Sequence, residues 1–81
     1  MTEQTFIDLG FERVDVSIEE SGADTPFHYY TIDIGDICIM SNDNESAEVE
    51  GWHGFIFDSM TLKIKGAGDL EVLVLLLKNN T

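Results

Sequence analysis

Between Val14 and Leu62 the chain contains no lysine or arginine, yet eleven Asp and Glu residues fall in that span. Its few basic residues, Arg13, Lys63, Lys65 and Lys78, all lie outside it. A formal net charge of −12 argues against direct nucleic-acid binding, because phosphates would be repelled, and equally against an anionic membrane surface. Cys38 is the single cysteine, so an internal disulfide is excluded. Long hydrophobic runs are missing as well. The longest, Val72 to Leu77, is far short of the ~20 residues a membrane span needs. Met1-Thr2-Glu3-Gln4 has neither the basic nor the apolar region of a signal peptide. Cytoplasm is therefore the expected location.

What is present fits one domain over residues 1–81, and a hydrophobic content of 43% is enough for a small core. A chain this short buries only about 60–65% of its unfolded surface, which limits the stability one core can supply. Self-association is a common remedy. One-sided charge also opposes compaction, since like charges repel in the folded state. A chain that keeps such an excess is expected to use it, most simply to attract a basic surface.

The apolar pattern predicts an α+β fold. Thr2 is a candidate N-cap, and Phe6, Leu9 and the stop at Gly10 predict a short helix over residues 3–9. Val14, Val16 and Ile18 alternate with polar residues and predict a strand with an apolar face toward the core. The stretch from Glu20 to Pro26 reads as a loop. Tyr30, Ile32 and Ile34 alternate up to Gly35-Asp36, a two-residue turn with glycine first. This hairpin should pair Ile34 with Ile37, Ile32 with Ile39, Asp33 with Cys38 and Thr31 with Met40.

Beyond the polar loop Ser41–Ser46, a long strand is expected, with Val49, His53, Phe55 and Phe57 on one face and Glu48, Glu50, Trp52 and Ile56 on the other. A reversal at Asp58-Ser59 would set Met60, Leu62 and Ile64 against Phe57, Phe55 and His53, and Trp52 against Lys65 in a cation–π contact. Gly66 to Leu70 opens a last helix whose Asp69 and Lys78 suit its macrodipole. Leu70, Leu73, Val74 and Leu77 form its core stripe. Val72, Leu75 and Leu76 lie outside that stripe, and such a helix is usually covered on more than one side. The expected architecture is a meander of about five antiparallel strands, with a short N-terminal helix and a C-terminal helix packed on one face. The other face, left wet, would show Asp15, Ser17, Glu19, Tyr29, Asp33, Glu48, Glu50 and Trp52.

No constellation for chemistry accompanies this fold. Cys38, His28 and His53 are the only soft or imidazole ligands, and the pattern sends Cys38 and His53 to opposite faces, so no zinc site is expected. Asp43-Asn44-Glu45 lacks the glycine and terminal bidentate Glu of a calcium loop. Gly66-Ala67-Gly68 lacks the further glycine or Lys-Ser/Thr of a phosphate loop, and Asp69 would repel a phosphate there. No serine or histidine stands in a nucleophile motif. The chain is expected to be neither an enzyme nor a cofactor or metal carrier.

The acidic face remains. Alternate strand residues lie about 6.6–6.8 Å apart, so Glu48 and Glu50 would form a short ladder of charge beside Trp52. Duplex DNA carries one charge per ~1.7 Å of axis, and spaced carboxylates can stand in for phosphates. Trp52 or Tyr29 would supply a desolvated anchor within that field. The ordinary alternative is that these carboxylates keep a small sheet soluble and its edges unpaired.

The run Phe27-His-Tyr-Tyr-Thr-Ile-Asp-Ile-Gly-Asp-Ile-Cys-Ile-Met-Ser41, followed by Gly51-Trp52 and the Asp69-Leu70 helix, resembles small hypothetical proteins of phages and prophages over about residues 6–79. The resemblance implies a mobile-element origin, where short acidic proteins are similar to inhibitors of host defence of the anti-CRISPR and anti-restriction kinds. It brings no catalytic residues. The function it implies is that of a non-enzymatic inhibitor that binds a basic, nucleic-acid-handling surface of a host protein, through Tyr29, Asp33, Glu48, Glu50 and Trp52. The rival expectation is an assembly module whose homodimer forms through Val72, Leu75 and Leu76.

Overall fold

The computed structural model describes residues 1–22, 25–57 and 59–80, with the side chains at 20, 21 and 59–61 left aside. In chain order the elements are α1 (Glu3–Asp8), β1 (Glu12–Val16), α2 (Ile18–Ser21), β2 (Phe27–Ile34), β3 (Ile37–Ser41), α3 (Asn44–Glu50), β4 (Gly54–Ile56), β5 (Ser59–Ile64) and α4 (Ala67–Asn79). The five strands form one antiparallel sheet in the order β1-β2-β3-β4-β5, the expected meander.

The central hairpin has the predicted register: Ile34 faces Ile37, Asp33 faces Cys38, Ile32 faces Ile39 and Thr31 faces Met40. Its turn has a positive φ of 61° at Gly35 and none at Asp36, the pattern that makes glycine favourable at the first turn position. Partners across a ladder share a face, and faces alternate along each strand. Tyr30, Ile32, Ile34, Ile37, Ile39, Ser41, Gly54 and Ile56 therefore stand together. Phe6 of α1 stacks on Tyr30 with ring centroids 5.4 Å apart. Leu70 of α4 lies over Gly54, where an added Cβ would come within 3.3 Å of its Cδ1. Both helices thus meet the sheet on this face, and the core is Phe6, Phe11, Tyr30, Ile34, Ile39, Leu70 and Val74.

Phe11 explains one departure from the sequence pattern. Its ring is 6% exposed and packs edge-on to Phe6 at 5.2 Å, just before β1 begins. Once Phe11 points into the core, alternation sends Arg13 and Asp15 to that side, opposite Tyr30 and His28. Val14 and Val16 turn the other way, opposite Tyr29 and Phe27, contrary to the expected core-facing orientation. The strand also ends at Val16, and Ile18, expected in it, opens α2 and is 48% exposed.

The second departure is larger. Residues expected to begin a long strand form α3 instead. Asp43 caps it, accepting the Ser46 N–H at 2.7 Å, and Gly51 ends it at φ 82°. Val49, expected toward the core, is 86% exposed. Because the helix consumes residues 44–50, β4 is short and Ser41 meets Gly54. Gly54 and Ile56 face the core, while Phe55 lies opposite Met40 on the far side. His53 rests against Phe55 with ring centroids 6.3 Å apart, so it lies on the Cys38 side of the sheet instead of across from it. Ile64 pairs with Gly54, not His53, and a register shift brings Ser59 opposite Ile56. Asp58 of the expected reversal lies outside the described residues, as does the side chain of Met60.

Candidate functional site

The residues expected to form one acidic face are distributed over three places. Tyr29 and Asp33 stand on the sheet face away from the helices, opposite Val14 and Cys38. Glu48 and Glu50 project from α3, not from a strand. Trp52 packs on the helix side, with its ring 5.8 Å from Phe6, 5.7 Å from Tyr30 and 6.0 Å from His28. Its expected pairing with Lys65 across two strands does not occur, because Trp52 precedes β4 and turns under α1. Of the other residues expected on the wet face, Asp15 lies on the His28 side and Glu19 belongs to α2.

What the fold does bring together is Trp52, Glu48, Glu3, His28, Asn44 and Ala47, which line a cleft of about 290 Å³. The start of α1 supplies Glu3, β2 supplies His28, and α3 with the following turn supplies the rest. Glu3 Oε1 accepts hydrogen bonds from His28 Nε2 and from the Tyr30 hydroxyl, the latter at 3.1 Å. The bond from His28 holds the Glu3 carboxyl below its ordinary value of 4.5. Burial, and then the bond to Glu3, push the Tyr30 hydroxyl above 10.0. Glu3 is thus a fixed anion at pH 7. The Asn44 side-chain oxygen accepts the His28 N–H at 2.8 Å and ties α3 to β2.

The carboxylates of α3 have different fates. Asp43 caps the helix, Glu45 accepts from the Thr25 hydroxyl, and Glu50 lies 3.8 Å from Lys63 Nζ and accepts from Ser46 at 3.3 Å. Glu48 is exposed, and among the described residues it has no ion pair. It also sits in the last turn of a helix with no basic residue there, where the helix end already carries partial negative charge.

A second recess of about 350 Å³ lies at the β1–β2 edge among Arg13, Asp15, Val16, Pro26 and Phe27. Its charges satisfy each other, since Arg13 Nε bonds Asp15 at 3.0 Å. Among the described residues no group of three or more His, Cys, Asp or Glu is arranged to hold a metal ion. No helix among them is long and apolar enough to cross a membrane. Comparisons with family models, with curated proteins and with solved structures find no match to this chain.

Sequence reasoning missed Glu3 and His28. In the sequence Glu3 stands out only as part of a polar N-terminus, and His28 only as an imidazole without converging zinc ligands. Asp43 as a cap and Gly51 as a stop could have revealed α3. They were overlooked because Val49 is the only large apolar residue between them, and no helical stripe results.

Proposed function

We propose that the protein is a non-enzymatic binding module that covers a basic, nucleic-acid-handling surface of another protein. The observation that carries this reading is the Trp52 cleft, which the half-buried indole lines together with Glu3 and Glu48 in a chain of net charge −12. Such a field speeds encounter with a basic partner, and the half-buried ring adds a desolvated contact at its centre. The resemblance to small acidic phage proteins extends the reading to a partner in host defence. The test is a pull-down from host lysate with the immobilised protein, eluted at about 50 mM and about 200 mM salt, and separately with duplex DNA. Captured partners should be released by both salt and DNA. Retention through both treatments would contradict the reading.

A second reading is favoured by α4. Val72, Leu75 and Leu76 are 57%, 52% and 56% exposed, while Leu70 and Val74 of the same helix are fully packed. We propose that this apolar side pairs with a second copy, which would double the acidic surface offered to a partner. Light scattering at tens of micromolar should then show a dimer, and Leu75→Glu a monomer with an unchanged circular dichroism spectrum, since a charge cannot be buried there unpaired. A monomeric wild type at that concentration would remove the dimer and leave the cleft untouched.

A further inference from the structure

The cleft beside Trp52 is specific about the shape and sign of what would fill it. One wall is the indole ring, held in place by Phe6, Tyr30 and His28. A second wall is the Glu3 carboxylate. Both of its hydrogen bonds fall on Oε1, and among the described residues no donor is paired with Oε2. The third wall is the end of α3, where Ala47 and Glu48 line the cleft and Glu48, among the described residues, has no ion pair. Helix ends favour cations at this terminus, yet α3 places Glu48 and Glu50 there, and only Glu50 has a nearby lysine. Local rules broken in this way without an internal compensation are expected at functional positions.

Size narrows the occupant. About 290 Å³ corresponds to roughly ten waters and lies at the bottom of the range for small-molecule pockets. It accommodates one side chain, and its two acidic residues disfavour the phosphate of a nucleotide. Two carboxylates beside an aromatic ring call for a cation. A planar guanidinium meets both demands, since it stacks on an aromatic face and donates in a fork to carboxylates, whereas an ammonium is a strongly hydrated point charge.

We propose that this cleft receives a single arginine side chain of the partner, with the guanidinium against Trp52 and between Glu3 and Glu48. The proposal rests on the reading of the protein as a binder of basic surfaces and names the contact that anchors it.

The experiment needs no partner. Trp52 is the only tryptophan, so its emission and its indole N–H resonance report on the cleft alone. The protein is titrated with N-acetylarginine amide and, in parallel, with N-acetylcitrulline amide, which is similar in shape but uncharged. The arginine probe should produce a saturable change with a dissociation constant in about the millimolar range, and the citrulline probe none. Glu48→Gln should weaken the arginine probe about three- to fivefold, as for a partly exposed ion pair, and Glu48→Lys should abolish the response. Asp36→Asn, in the turn at the other end of the hairpin, removes the same charge as Glu48→Gln and should change nothing. Equal responses to the two probes, a response that never saturates, or one untouched by Glu48→Lys would overturn the proposal. If the arginine probe behaves as described but a partner's affinity is indifferent to Glu48→Lys, the cleft stands and the functional reading falls.

Discussion

On the helix-covered side of the sheet, Tyr30, Ile34 and Ile39 are at most 6% exposed beneath Phe6, Leu70 and Val74. Across the opposite side, Val14, Val16, Phe27, Tyr29, Met40 and Phe55 are only half-buried, and none belongs to the core cluster or packs against it. Both sides are built from residues of similar apolar character. What separates them is the layer above: α1 and α4 supply buried residues to one side only. Apolar alternation therefore identifies a strand without saying which side receives the cover. The charged residues follow the same division, with Glu3 and Glu48 around Trp52 beside the covered side and Asp33 on the other.

The largest effect should come from removing matched side chains on the two sides. Phe6→Ala empties a site of zero exposure that touches Phe11, Tyr30 and Trp52, and should cost about 3–5 kcal/mol. Phe55→Ala removes a half-buried ring and should cost about 1 kcal/mol, because part of its surface already meets water. Chemical denaturation with a common m-value would measure both. Equal losses would show that the second side is covered in solution, by a second copy.

A smaller effect comes from the titration of His53 and Glu3. Added salt should raise stability by screening the repulsion within a net charge of −12. Mild acid should lower it through two groups. Burial, reinforced by Lys63, lowers His53 below its ordinary 6.5. The unfolded chain then takes up that proton first, so the stability of neutral His53 is complete above about pH 6.5 and is lost as pH falls toward its folded value. Glu3 is lowered from 4.5 by His28, so its contribution is complete above about pH 4.5 and is lost on further acidification. Melting temperatures measured between about pH 7.5 and pH 4 should fall in these two windows, and His53→Gln should flatten the upper one. A melting temperature that rises between about pH 7 and pH 5.5 would show that repulsion among carboxylates outweighs both groups.

The sequence was most legible where one signal sufficed. Gly35-Asp36 between alternating isoleucines fixed the hairpin and its register, and the Leu70, Leu73, Val74 and Leu77 stripe fixed the inward side of α4. It was least legible where two local signals competed. Phe11 and the pair Val14 and Val16 are out of phase, and the larger ring took the core. Between Asp43 and Gly51 the capping residues favoured a helix, while Glu48, Val49 and Glu50 could be read as strand alternation. The helix there displaces β4, sets Phe55 on the far side and disperses the acidic face. Trp52 and Glu48 do share a site, but the residues that complete it, Glu3 and His28, come from elements distant in sequence that only the tertiary fold brings together.

The central claim is that charge acts at the Trp52 cleft and not evenly over the surface. It is tested most directly by comparing Glu48→Lys with Asp33→Lys, which make the same change of charge on the two sides of the sheet. Affinity for a basic partner recovered from lysate would be measured by titration across a range of salt. Glu48→Lys should weaken binding about tenfold or more, and Asp33→Lys only slightly, by the loss of long-range attraction that salt removes. Equal losses in the two variants, or a larger loss from Asp33→Lys, would contradict the account.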